Sequence, residues 1–229
     1  MNTYYLEQLI APPYIVNDSV KATDLAPCVL TIGNFDGVHL GHQAMLAKVR
    51  ALADEQNLNA AVMIFEPQPR EFFAPQKAPA RLTTLAEKQA LLADFGVDTL
   101  IVAGFDSDFR ALSATAFADL LAKRLNVQAL VLGDDFRFGH DRTGDSQFLQ
   151  NYGLQVTDLQ TVTDEEQQED RISSTRVRDL LLAGDIDAAN RLLGRDYTIM
   201  GQVVGGDKIG RTMDFPTANI ELSRIKPAL

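Results

Sequence analysis

One cysteine, three histidines and no tryptophan occur in 229 residues. The lone Cys28 excludes an internal disulfide and any thiolate-rich metal site, and so few histidines exclude most structural zinc sites. No apolar run approaches the roughly 18 residues that a membrane span requires. The opening MNTYYLEQLIAPPY has neither the basic nor the apolar stretch of a secretory signal, so the expected address is cytoplasmic, with no membrane partner. Positive charge is also short. Lys and Arg number 21 against 31 Asp and Glu, a net charge of −10, which argues against a nucleic-acid partner because polyanion binding needs broad basic patches. A small anionic ligand is compatible with this balance if its positive field is local or brought by a metal ion. Hydrophobic residues at 46% and charged residues at 23% are ordinary globular usage.

At roughly 150 residues per domain, the length predicts one large unit plus a smaller or incomplete one. After an opening read as irregular, through Pro12, Pro13 and Pro27, Cys28 to Ile32 is a short apolar run ending at Gly33, the pattern of a buried strand. Met45, Val49 and Leu52 recur at helical spacing between His42 and Gln56, and Ala60 to Phe65 repeats the strand pattern. Thr84 and Glu87 form a Thr-x-x-Glu capping box for a helix that Gly96 stops. Strands are expected at Asp98 to Ala103, Val127 to Leu132 and Leu154 to Leu159, with helices at Ser113 to Leu125, Ser146 to Tyr152 and after Ser174. Strands apolar on both faces and alternating with helices predict a parallel sheet covered on both sides, with ligands at the carboxyl ends of its strands. The acidic run Asp164 to Asp170 reads as a mobile surface loop, and a change to a period-two, Gly-rich pattern places a domain boundary near residue 185.

Chemistry is expected in four segments. Gly33-Asn34-Phe35-Asp36-Gly37-Val38-His39-Leu40-Gly41-His42 follows the first strand of this alternation and sets two histidines three apart at a helix start. There the imidazoles lie beside free backbone N–H groups and a dipole that favours negative charge, while Gly37 and Gly41 let the main chain approach a phosphate. The plainer reading is a tight turn with incidental surface histidines. Arg171 to Arg178 (RISSTRVR) offers Ser173 or Ser174 as N-cap with three arginines around one helix start, and its plainer reading is a capped helix with solvated arginines. Gly133 to Gly139 (GDDFRFG) carries carboxylates that could orient a ribose, hold Mg²⁺ or accept a substrate hydrogen bond, and phenylalanines able to stack on a planar ring. In FEPQP, Glu66 or Gln68 is a candidate ligand contact, whereas His140 reads as a loop histidine.

Together, GNFDGVHLGH, FEPQP, GDDFRFG and RISSTRVR, in that order, resemble the bacterial bifunctional riboflavin kinase/FAD synthetase family, whose N-terminal module is an FMN adenylyltransferase of the H-x-G-H nucleotidyltransferase superfamily. Gly201 to Asn219, with Pro216-Thr217-Ala218-Asn219, looks like the opening of that family's riboflavin kinase barrel. The resemblance implies an α/β, Rossmann-like, doubly wound parallel sheet over residues 1–185. A linker helix and the start of an incomplete β-barrel follow over residues 186–229. It implies ATP and FMN as substrates, with Mg²⁺, and FAD and pyrophosphate as products, riboflavin being the kinase substrate. It assigns catalysis to His39, His42 and Arg178, and ATP or phosphate contacts to Gly33, Phe35, Gly37, Gly41, Arg171, Ser174 and Thr175. Asp135, Phe136 and Phe138 fall at flavin or nucleotide contacts, and Gly210, Thr217 and Asn219 at kinase positions, Thr217 as a Mg²⁺ ligand.

Two departures from the family pattern bear on these expectations, besides Asp135 where the family often has Asn. Asp214 stands where Gly is usual, and the sequence stops at Leu229, before the strands that close the barrel and supply the kinase base, so kinase activity is expected to be absent. Another adenylyl- or cytidylyltransferase of the superfamily, or a non-catalytic flavin or nucleotide binder, are the alternatives.

Overall fold

The computed structural model describes residues 1–14, 23–164, 170–205, 217–222 and 226. Gly210, Asp214 and most of the acidic run after Asp164 lie outside the described residues. In chain order the elements begin with β1 (Asn2–Tyr5), α1 (Leu6–Leu9), β2 (Cys28–Ile32), α2 (Leu40–Gln56), β3 (Asn59–Phe65), α3 (Pro69–Phe73) and α4 (Leu85–Asp94). Next come β4 (Thr99–Ala103), α5 (Ser107–Arg110), α6 (Ala114–Asp119), β5 (Val127–Gly133), α7 (Ser146–Tyr152) and β6 (Gln155–Leu159). The remainder is β7 (Thr163–Asp164), β8 (Asp170–Arg171), α8 (Ser174–Leu182), α9 (Ile186–Leu193), β9 (Gln202–Val204) and β10 (Asn219–Glu221).

Six strands pair in the order β1-β4-β3-β2-β5-β6, all parallel. From β2 the chain builds outward through β3 to β4, then returns to the other flank of β2 for β5 and β6. The order therefore reverses between β2 and β5, and such a switch point opens a crevice at the carboxyl ends of the strands. All five residues of β2 and of β4 are buried, as a sheet covered on both faces demands. Alternate residues serve opposite layers. Leu30, Ile32, Met63, Leu130 and Leu132 pack toward Phe109, Phe117 and Leu149, whereas Val62, Ile64 and Val102 meet Leu46 and Leu92, and Val29 and Val131 meet Val49.

The expected capping box is in place: Thr84 Oγ1 accepts from the Glu87 N–H at 3.2 Å and Glu87 Oε2 accepts from the Thr84 N–H at 2.7 Å. Gly96 stops the helix with φ of 76°. The opening of the chain departs from expectation. Asn2–Tyr5 is a sheet-edge strand paired with β4, and Asn2 N–H donates to Asp98 O at 2.8 Å. Its four residues are half exposed and carry no apolar run, so tertiary pairing rather than local pattern forms it. The acidic run is bracketed by a short antiparallel ladder, Thr163 opposite Arg171. Beyond α9, β9 and β10 form a two-stranded antiparallel sheet with Asn219 opposite Val204, consistent with the start of a barrel. Among the described residues no helix is long and apolar enough to cross a membrane.

Candidate active site

A cavity of about 520 Å³ opens at the switch point, over the carboxyl ends of β2, β3 and β5. Its floor is the turn from β2 into α2. Phe35, Gly37 and Val38 all take positive φ, at 48°, 81° and 42°. Asp36 holds this turn together from within: only 2% exposed, it accepts from the N–H groups of Leu82 and Thr83 at 3.1 and 3.0 Å, from Thr83 Oγ1 at 3.2 Å and from Arg178 Nη2. Gly37 is a turn residue, not a cavity residue. Its N–H donates to Thr83 Oγ1 at 3.0 Å, and a Cβ there would lie 2.7 Å from Leu82 Cδ1.

His39 and His42 are stacked, with ring centroids 3.7 Å apart and planes 17° from parallel. His39 is the N-cap of α2, its Nδ1 accepting from the His42 N–H at 3.4 Å. This leaves Nε2 as the donor of the neutral ring. Burial pushes the His39 imidazole down to about 4, against the pull of Asp36 and with the help of Arg171 and Arg178. His42 is driven well below the ordinary histidine range by burial, then by His39, Lys88 and Arg171. Both rings are therefore neutral at pH 7, each with one N–H to offer an anion. His42 packs against Phe35 at 4.8 Å between centroids.

The start of α8 lines the same cavity. Ser173, rather than Ser174, is the N-cap, accepting from the Arg176 N–H at 3.3 Å. Ser174 spends its hydroxyl on the Asp36 carbonyl at 2.8 Å, and Arg178 is directed to Asp36 and to Ala80 O at 2.7 Å. The two signature segments are thus one structure. A Cβ on Gly41 would sit 3.2 Å from the His39 ring and 3.6 Å from Ile172 O, so glycine permits their close approach. Thr175, exposed, and Arg171 face the cavity, Arg171 paired with Asp135 Oδ2 at 3.0 Å across the rim. Both members of that pair are more than half exposed, so it contributes little stability and is open to exchange for a ligand.

His39, His42, Arg178, Gly33, Phe35, Gly41, Arg171, Ser174, Thr175, Asp135 and Phe136 all line this one cavity. Phe138 does not: it is 7% exposed and packs into the core against Phe117 at 5.1 Å. Thr217 and Asn219 are exposed and away from the cavity, at β10. His140 is exposed. Glu66 is occupied by Arg81 at 2.5 and 2.8 Å, whereas Gln68 reaches the cavity. Three buried polar atoms of cavity-lining residues, Gln68 Nε2, Asn34 Oδ1 and His42 Nδ1, have no partner among the described residues.

Asp36, Lys88, Arg195 and Phe65, none of them an expected site residue, also shape the cavity or its turn. Phe65 ends β3 on the cavity wall, near Phe136 in kind though not in sequence. Arg195 braces the turn from behind, Nη2 donating to Gly37 O at 2.8 Å, while Gln43 Nε2 bonds Val38 O at 2.9 Å and Leu193 O at 2.7 Å. Among the described residues no group of three or more His, Cys, Asp or Glu side chains converges to hold a metal. Asp134 and Asp135 on the cavity wall are the available carboxylates. That sparse donor set suits a Mg²⁺ ion carried in on phosphate oxygens with most of its waters kept.

Comparison with known proteins agrees with this geometry. A curated bifunctional riboflavin kinase/FMN adenylyltransferase from Pseudomonas fluorescens is 51% identical over 202 residues, and that from Escherichia coli K12 is 50% identical, each alignment covering 86% of this chain and 64% of the relative. The Haemophilus influenzae protein of the same name is 47% identical over 205 residues. The chain thus spans about two thirds of the length of these relatives. A solved structure described as a macrolide-efflux protein from Streptococcus pneumoniae superposes with a TM-score of 0.76 at 29% identity, covering 99% of this chain and 70% of that one. The riboflavin kinase family model matches residues 193–228, and the FAD synthetase family model matches residues 21–176, which spans β2 through the start of α8 and every residue lining the cavity except Arg178. By that match the chain belongs to the FAD synthetase family.

Proposed function

We propose that this chain is an FMN adenylyltransferase, joining ATP and FMN into FAD and pyrophosphate. One observation carries the reading: a stacked pair of neutral imidazoles and an arginine-bearing helix start line the same cavity, whose wall also carries Phe65 and Phe136. In this reading a phosphate oxygen of FMN attacks the α-phosphorus of ATP in line. The new P–O bond forms as the bond to the bridging oxygen of the β-phosphate breaks, and pyrophosphate leaves. His39 and His42 donate N–H bonds to oxygens that gain charge, and the free N–H groups of α8, with Thr175 and Arg171, hold the departing end. Arg178 acts through Asp36 as much as on the nucleotide. Mg²⁺, when bound, neutralises phosphate charge. Phe136 and Phe65 offer faces to a flat ring system.

The reading includes a cytoplasmic, membrane-free setting without nucleic acid, and riboflavin as the substrate only of the kinase part that begins near residue 186, to which Gly210, Thr217 and Asn219 belong, Thr217 as a Mg²⁺ ligand. The packing of α9 against α8, through Ala189, Leu192 and Val177, favours setting that boundary after Leu193. Incubation of the purified chain with ATP, Mg²⁺ and FMN, followed by chromatography, tests the assignment. FAD and one equivalent of pyrophosphate are expected. Pyrophosphate only with phosphopantetheine or nicotinamide mononucleotide as acceptor would instead make it another nucleotidyltransferase. His42→Ala is expected to lower kcat by on the order of 10²-fold with the fold retained, and full activity of that variant would remove His42 from the mechanism.

A further inference from the structure

Lys88 has no part in the chemistry above, yet its side chain is completely buried. It projects from α4 and donates from Nζ to the main-chain carbonyl of Asn34 at 2.6 Å. Burying an ammonium costs several kcal/mol before its partners offset it, and an apolar side chain would fill the same place without that cost. What the charge accomplishes is visible in the peptide it grips. Among the described residues only Pro12-Pro13 and Glu66-Pro67 are cis, so the Asn34–Phe35 unit is trans, and in a trans unit the C=O and the following N–H point in opposite directions. Drawing the Asn34 oxygen toward Lys88 therefore turns the Phe35 N–H away from it, and both Asn34 and Phe35 line the cavity. Among the described residues that N–H has no acceptor. Phe35 adopts this orientation at φ of 48°, a left-handed conformation that is strained for a bulky residue. A charge-assisted bond, about twice as strong as a neutral one, offsets the strain.

We propose that Lys88 is a positioning residue that aims the Phe35 amide N–H into the cavity as a donor to a phosphate oxygen, without itself touching the substrate. The identity of that phosphate as part of ATP rests on the adenylyltransferase reading. The ionisable groups that face Lys88 are Asp36 in the turn, His42 on α2, Glu66 after β3, Glu71 on α3 and Arg81 before α4. Burial pushes its ammonium down to about 8, with Asp36 pulling the other way.

The test uses the full chain labelled with [¹⁵N]phenylalanine, the Phe35 amide resonance being identified by its loss in Phe35→Leu, and Mg-ATP as the probe. In the wild type ATP is expected to shift this resonance downfield. In Lys88→Met the shift should vanish, the Kd for ATP should rise roughly tenfold and kcat for FAD formation should fall by a similar factor, with Tm nearly unchanged. No Phe35 response in the wild type, or an unaltered response and Kd in Lys88→Met, overturns the proposal. Should Lys88→Met not fold, the wild type decides: ATP affinity is expected to decline between pH 8 and 10, and its constancy refutes the role. A wild type that shows the Phe35 response but makes no FAD defeats the adenylyltransferase reading and leaves Lys88 its role. FAD formation by Lys88→Met at the wild-type rate with the response intact defeats Lys88 alone.

Discussion

Arg178 and Asp36 form the pair on which the site's two halves meet, and their burial decides what happens when either is changed. Removing only the guanidinium strands a carboxylate that is 2% exposed, a loss of about 3–5 kcal/mol in comparable buried pairs. Arg178→Ala is therefore expected to lower Tm by many degrees as well as to raise the KM for ATP, and Asp36→Asn combined with Arg178→Met is expected to recover most of the stability but none of the activity. Thermal melts of the two variants check this, equal melts overturning it. His39 leads to a pH prediction with a definite sign. Its folded-state pKa, about 4, lies below the unfolded 6.5, so the unfolded chain binds the extra proton first. Stability from this group is complete above pH 6.5 and is lost as pH falls toward 4, on the order of 3 kcal/mol in all. Denaturant midpoints from pH 7 to 4 should fall more steeply in the wild type than in His39→Gln. The same residue was legible in the sequence as a phosphate donor, but its service as the N-cap of α2 was not, because capping depends on which ring nitrogen faces the backbone.

At the level of elements, the alternation of strand and helix was readable because each strand is buried on both faces and each long helix carries a start or stop signal. What escaped was β1, four half-exposed residues whose only reason to be a strand is the open edge of β4. Lys88 did leave a signal: it stands three residues after Leu85 and four before Leu92, a cation in the middle of the helix's inward stripe. Arg195 left none, since an arginine after a helix stop is ordinary. In the fold it ties the end of α9 to the floor of the cavity through Gly37 O and Leu193 O. Arg195→Ala is expected to cost about 1–3 kcal/mol of stability and to raise the KM for ATP several-fold, because hydrogen bonds from a charged donor to the turn are lost. Steady-state kinetics alongside a denaturant titration would check it, and an unchanged KM would show that the turn stands without this brace.

Across the whole molecule, a net charge of −10 coexists with an anion-type cavity because the attraction is assembled locally, from neutral imidazoles, helix N–H groups and a few arginines, rather than from a basic surface. Among the described residues the strands contributed by the region matching the riboflavin kinase family are β9 and β10, a two-stranded sheet with Val203 and Ile220 exposed, and two strands neither close a barrel nor bury a core. With riboflavin and ATP the purified chain is accordingly expected to yield no FMN, while FMN and ATP yield FAD. FMN formed from riboflavin would show that this segment completes a kinase site.

Residue spacing alone determined the layered α/β arrangement and the carboxyl-end location of the chemistry, since period, caps and glycine stops act over a few neighbouring residues, whereas the joint role of His39, His42 and Arg178 came from the family resemblance. Only the tertiary structure decided that Phe138 is core while Phe136 reaches the cavity, that Ser174 and Arg178 are largely spent on Asp36, and that a buried lysine orients the turn. Phe138 depends on Phe117, 21 positions away, and the other contacts on partners 54 to 142 positions away in the chain, and burial and hydrogen bonding at such separations are set by how the layers pack.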